Sequence, residues 1–125
     1  MTGATAAAIS NDVRRVLVIE DEVLIAMVLE DMLDIMGHVV VGTLSNLVDA
    51  AAAVDAGGFD LVVADVNLGS DSIYPLADRV RAAGVALILA TGSHRDTLPP
   101  RFAGVPVIEK PYALPAIEAA LAELN

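Results

Sequence analysis

Five polar side chains in this chain follow apolar runs in a way that packing does not require. Glu20 and Asp21 come directly after Val16-Leu17-Val18-Ile19, and Asp65 comes directly after Leu61-Val62-Val63-Ala64. Thr91 closes the run that begins at Val85, and Lys110 stands just beyond Val105 to Ile108. A carboxylate such as Asp65 is costly to bury and has no packing purpose. It can serve as the cap of the following turn, as Asp often does, or as a reactive group. Brought together, three carboxylates repel one another, so each pKa rises unless a cation sits among them. Mg²⁺ (or Mn²⁺) suits such a set, being hard and oxygen-seeking and binding one or two carboxylates together with phosphate oxygens. With that charge present, Asp65 stays ionised and can attack phosphorus to form an acyl phosphate. The peripheral oxygens of the phosphoryl group then need neutralising more than they need acid or base. The metal, the Lys110 ammonium and the Thr91 hydroxyl can each take one. No residue stands ready as a strong general base toward water, so the acyl phosphate is expected to last long enough to be a signal.

For these groups to meet, the runs that carry them must be neighbouring strands whose carboxyl ends share one edge. Val16 to Ile19 and Leu61 to Asp65 are continuous apolar runs, as expected of strands buried on both faces. Between them, Val23 to Met36 repeats apolar residues at helical spacing (Ile25, Leu29, Met32 or Leu33, Met36) and is ended by Gly37. His38 to Val41 reads as a strand. Ser45 can cap a helix running through the Ala-rich stretch to Ala56, stopped by Gly57-Gly58. A further helix is predicted from Ile73 to Ala83, with Pro75 tolerable only in its first turn. Strands follow over Val85 to Ala90 and Val105 to Ile108, and an amphipathic helix over Tyr112 to Leu124. Strands alternating with helices imply right-handed crossovers and a parallel sheet covered on both sides. The stretch from Gly92 to Val105 breaks the rhythm, because Pro99-Pro100 prevents a full-length helix there.

Composition removes several other classes. The 125 residues suit one domain with a real core. Seven Lys+Arg against 17 Asp+Glu give a net charge of −10, which repels nucleic acid and anionic lipid surfaces alike. The absence of Cys excludes disulfides, thiol catalysis and Cys-based zinc sites. No apolar run approaches the ~18 residues of a membrane span. Met1 to Asp12 is rich in Ala and Thr and lacks the basic start of a signal peptide; it is expected to be a flexible lead-in to a domain over 13–125 of a cytoplasmic protein.

The order and setting of Glu20-Asp21, Asp65, Thr91 and Lys110-Pro111 resemble those of response-regulator receiver domains of two-component signalling, over Arg15 to Leu124. The resemblance implies a flavodoxin-like, doubly wound five-stranded parallel sheet of order 2-1-3-4-5 with a short or irregular fourth helix. It makes Asp65 the phosphoacceptor and Asp21 the direct metal ligand, with Glu20 holding metal waters and the Asn67 carbonyl ligating Mg²⁺. Thr91 would sense the phosphoryl group and Lys110 pair with it, and the Lys110-Pro111 bond would be cis. One position departs from the pattern: Val107, three before the lysine, stands where receivers carry an aromatic ring. Leu89-Ala90-Thr91-Gly92-Ser93 and Pro106-Val107-Ile108-Glu109-Lys110-Pro111-Tyr112 are similar to a single-domain subgroup called FAT GUY, matched at Ala90-Thr91-Gly92 of its Phe-Ala-Thr-Gly-Tyr motif. Without a ring to swing, the expected readout is an ordering of the loop from Gly92 to Gly104.

The implied partners are a sensor histidine kinase or a histidine phosphotransfer protein, and a downstream protein that the sequence does not identify. Leu24, Met27 and Val28 lie off the apolar stripe of the first helix. They mark either a deeply buried helix or a docking surface for the kinase's helical phosphohistidine domain. His38 and His94 do not form a metal pair, and Arg95-Asp96 stand near enough to the site to tune phosphoryl lifetime. Two other functions stay open on residues alone. A Mg²⁺-dependent phosphatase or phosphotransferase would use Asp65 as nucleophile, although such enzymes usually set a second acid where Asn67 stands. An adaptor independent of phosphorylation would keep only the fold.

Overall fold

A computed structural model of the chain describes residues 13–69, 71–92 and 98–124. The elements in order are β1 (Arg15–Ile19), α1 (Val23–Ile35), β2 (Val39–Leu44), α2 (Leu47–Ala56), β3 (Leu61–Asp65), the two-residue strands β4 (Asn67–Leu68) and β5 (Asp71–Ser72), α3 (Tyr74–Ala82), β6 (Ala86–Thr91), a 3₁₀ turn (Pro100–Phe102), β7 (Val107–Glu109) and α4 (Leu114–Glu123). Five of the strands form one parallel sheet in the order β2-β1-β3-β6-β7. That is the expected 2-1-3-4-5 once the small β4–β5 hairpin is set aside.

The period-two alternation of strand side chains divides the core. Leu17, Ile19, Val62, Ala64, Leu87 and Leu89 face one way and pack with Ala50 of α2 and Leu76, Ala77 and Val80 of α3. Val16, Val18, Leu61, Val63, Ile88 and Ala90 face the other way, against Leu29 and Leu33 of α1 and Ile117, Ala120 and Leu121 of α4. Every residue of β3 is buried, which is why its run carries no polar alternation before Asp65.

Helix ends follow backbone chemistry. Beyond α1, Gly37 has φ of 89°, and the N–H groups of Gly37 and His38 return to the carbonyls of Asp34 and Leu33 at 2.9 Å each. This satisfies the last turn's carbonyls with a residue that tolerates a left-handed conformation. At α2 the expected cap is displaced by one residue: Asn46, not Ser45, accepts from the Asp49 N–H at 2.8 Å, and its amide donates back to the Asp49 carboxylate at 2.9 Å. Only Asn46 has an acid three positions on, and that reciprocal pair decides the cap.

β2 runs past the predicted end at Val41 to Leu44. A Cβ at Gly42 would lie 3.3 Å from Leu17 Cδ1, so the Leu17 side chain fills the space that a larger residue at this strand position would need. The last strand is shorter than predicted, covering Val107–Glu109 and not Val105 to Ile108. Between β6 and β7 the described residues form only the 3₁₀ turn, as the paired prolines require. Its Phe102 is fully buried against Tyr74, with ring centroids 5.3 Å apart. The lead-in from Met1 to Asp12, and His94, Arg95 and Asp96, lie outside the described residues.

Candidate functional site

The sheet reverses its winding between β1, whose crossover leads outward to β2, and β3, which continues to β6 and β7. Crevices open beyond the carboxyl ends of strands at such a reversal. Glu20 and Asp21 leave β1 there, Asp65 ends β3, and Thr91 ends β6, one position past Ala90, the register partner of Asp65. Thr91 pairs with Glu109, whose neighbour Lys110 donates its backbone N–H to the Thr91 carbonyl at 2.9 Å.

Lys110 ties the acids together. Its Nζ lies 2.8 Å from Asp65 Oδ2, 3.3 Å from Glu20 Oε1 and 3.7 Å from Glu22 Oε1. Glu20 and Asp65 are 1% and 2% exposed. The other oxygen of Asp65 caps the turn by accepting the Asn67 N–H at 3.0 Å. Asp21 accepts the Gly69 N–H at 3.0 Å, which joins the β1 end to the turn after β4. Glu20 accepts from the Glu22 N–H and from the Tyr112 hydroxyl, each at 3.2 Å. The Lys110-Pro111 peptide is cis.

Burial, assisted by the nearby Asp65 charge, pushes the Glu20 carboxyl up to about 7. Burial works against the Lys110 ammonium, but its hydrogen bond to Asp65 and the charges of Asp65 and Glu20 outweigh it and hold the pKa above the usual lysine value. The Tyr112 hydroxyl is likewise held up by burial and by the Glu20 charge beside it, so it remains a donor.

Glu20, Asp21 and Asp65 offer oxygens that all lie within 4.8 Å of one another. Three carboxylates facing one ammonium leave excess negative charge, and an all-oxygen donor set fits a hard divalent cation. The donor set therefore fits Mg²⁺.

Most of the residues singled out in the sequence converge here. His38 does not: its Nδ1 accepts the Arg14 N–H at 3.0 Å, at the opposite end of the sheet. Sequence reasoning gave no role to Glu22 or Tyr112. Glu22 stood in view within the acidic run, whereas the reach of Tyr112 to Glu20 spans 92 positions and leaves no local signal.

The first helix is not buried all round. Ala26, Leu29 and Leu33 face the sheet, while Val23, Leu24, Met27 and Val28 are 70%, 77%, 51% and 44% exposed.

A doubly wound sheet of this order, with a lysine-bridged acidic crevice at its switch point, defines a class of α/β signalling domain. Residues 16–122 match the response regulator receiver domain, and the chain belongs to that family, whose members are signalling regulators of two-component systems and not turnover enzymes. It is 33% identical to the transcriptional regulatory protein PdtaR of Mycobacterium tuberculosis, across the whole of this chain and 65% of that protein's length. The solution structure of SdrG from Sphingomonas melonis Fr1 has a TM-score of 0.82 at 38% identity, covering 90% of this chain and 97% of that one. A BeF3-activated conformation of SdrG gives 0.77 at 39% identity, covering 88% and 94%. The response regulator PhyR from Brucella abortus gives 0.74 at 25% identity, covering 95% of this chain and 52% of that one.

Proposed function

We propose that this chain is phosphorylated on Asp65 by a sensor histidine kinase or a histidine phosphotransfer protein, and that it signals through protein–protein contact. The observation that carries this reading is the 2.8 Å contact of Lys110 Nζ with a buried Asp65 that shares a pocket with Glu20 and Asp21. An Asp65 carboxylate oxygen attacks the phosphorus of a phosphohistidine. The new O–P bond forms as the P–N bond breaks, and the electron pair returns to the imidazole nitrogen. Lys110, already at the Asp65 oxygen, pairs with the incoming phosphoryl charge, and Thr91 meets another phosphoryl oxygen from the end of β6. Bound Mg²⁺ (or Mn²⁺), held by Asp21, Asp65 and the Asn67 carbonyl with Glu20 reaching its waters, would supply positive charge to the phosphoryl oxygens.

The receiver domain is read as residues 13–125, preceded by the lead-in 1–12, in a cytoplasmic protein. The net charge of −10 supports protein partners over nucleic acid or membrane. No helix among the described residues is long and apolar enough to cross a membrane. The exposed apolar face of α1, with Met27 at its middle, supports docking of the donor's helical domain. A Met27→Lys variant is expected to slow transfer from its donor.

Val107 has no ring, and Pro99-Pro100 prevent a full-length helix after Thr91, which supports an ordering of the loop from Gly92 to Gly104 as the readout. Beryllofluoride is expected to change amide protection across that loop. Unchanged protection there would remove the loop as the readout.

The central test is intact mass after incubation with acetyl phosphate and Mg²⁺. Wild type is expected to gain one phosphoryl group and Asp65→Asn none. Equal labelling of the two proteins would overturn the assignment.

A further inference from the structure

β2 stands at one edge of the sheet, bonded to β1 and, among the described residues, to no strand on its outer side. An open edge is usually blunted by charge, by proline, by a bulge or by being very short. The opposite edge follows that rule, since β7 has three residues and includes Glu109. β2 has only a bulge: its six residues, Val39-Val40-Val41-Gly42-Thr43-Leu44, contain neither a charge nor a proline.

The ladder to β1 also skips a residue. Val40 pairs with Val16 and Gly42 with Leu17, so Val41 is the extra residue of a bulge and has no partner across the ladder. Val39 and Val41 keep 47% and 37% exposure. Beside them runs a groove whose other wall is the acidic face of α1, formed by Glu30, Asp31 and Asp34. Backbone donors and acceptors, two exposed β-branched side chains and a row of carboxylates therefore line one slot.

We propose that this edge takes an extended, basic segment of a partner protein as an added strand. Its alternate Lys or Arg residues would face the acids of α1, and its β-branched residues would pack on Val39 and Val41. Charge selects this occupant over a second copy of the chain. Two copies meeting edge to edge would bring Glu30, Asp31 and Asp34 against their own kind in a protein of net charge −10. The slot shares no residue with the acidic pocket, so it can be occupied while the pocket works.

The test uses the full ¹⁵N-labelled chain and a capped hexapeptide of sequence Lys-Val-Lys-Val-Lys-Thr, followed by amide chemical shifts. Shifts are expected at 39–43 and 30–34, weakening as salt is raised. A peptide of equal charge, Lys-Gly-Lys-Ser-Lys-Gly, is expected to bind about tenfold more weakly. Val41→Lys sets a charge on the edge and should cost a similar factor, with its thermal midpoint confirming the fold. Should that variant unfold, the double variant Asp31→Lys with Asp34→Lys, at exposed positions of α1, is expected to abolish binding. The proposal is overturned if no shifts occur, if the two peptides bind equally, or if the shifts centre on Glu20, Asp21 and Asp65.

Discussion

Lys110 and Arg101 each hold a carboxylate at hydrogen-bond distance, but only Lys110 does so away from water. Arg101 grips Asp78 with two parallel bonds of 3.0 Å, and its guanidinium lies 4.8 Å from the Phe102 ring centroid. Judged by geometry alone it is the better pair. Both of its side chains are about half exposed, so solvent and salt screen the attraction. Lys110 has less regular geometry, yet its partners Asp65 and Glu20 are buried and it is the single ammonium among them. Burial decides what an ion pair does: the exposed one pins a turn to α3, and the buried one holds charge that would otherwise repel.

The largest break in that comparison comes from removing the buried cation. Lys110→Ala leaves adjacent carboxylates uncompensated, and the metal-free protein is expected to lose about 3 kcal/mol above pH 7. Mg²⁺ should restore part of this, and chemical denaturation with and without the metal measures both.

The next effect is the pH dependence of the metal-free protein. The Glu20 carboxyl titrates near 7 when folded, chiefly through burial, and near 4.5 when unfolded. Between those values the folded state keeps a proton that the unfolded state has released. Stability is therefore greatest below about pH 4.5 on this account and falls as pH rises to about 7, by roughly 2–3 kcal/mol. Thermal midpoints across that range in EDTA check the sign. A rising midpoint would show that Glu20 is ionised throughout.

Tyr112→Phe deletes one donor to Glu20 and keeps the ring. A loss of about 1 kcal/mol is expected, and because Glu20 is left with fewer donors, Mg²⁺ affinity should change with it. Unchanged metal affinity would confine Tyr112 to packing.

The smallest effect belongs to the exposed pair. Asp78→Asn is expected to leave the thermal midpoint within the scatter of repeat scans, and 1 M salt should not alter wild type through this contact. A clear loss would mean that the α3 contact supports the buried Phe102 more than its exposure implies.

Much of the site was legible because its signals are local. Glu20-Asp21, Asp65, Thr91 and Lys110 each end or follow an apolar run, and the α/β alternation alone brings strand ends to one edge. The apolar surplus of α1 was visible too, but Leu24 and Met27 could be read as buried or as exposed until the helix was seen against the sheet. Residue types and periodicities are properties of neighbouring positions, so the sequence by itself determined the succession of strands and helices and the chemistry at their ends. Only the tertiary structure decided that Val41 bulges from the ladder, that Tyr112 bonds Glu20 and that Lys110 lies nearer Asp65 than Glu22. Those outcomes are distances between segments far apart in the chain, set by how the two faces of the sheet pack, and no spacing along the sequence encodes them.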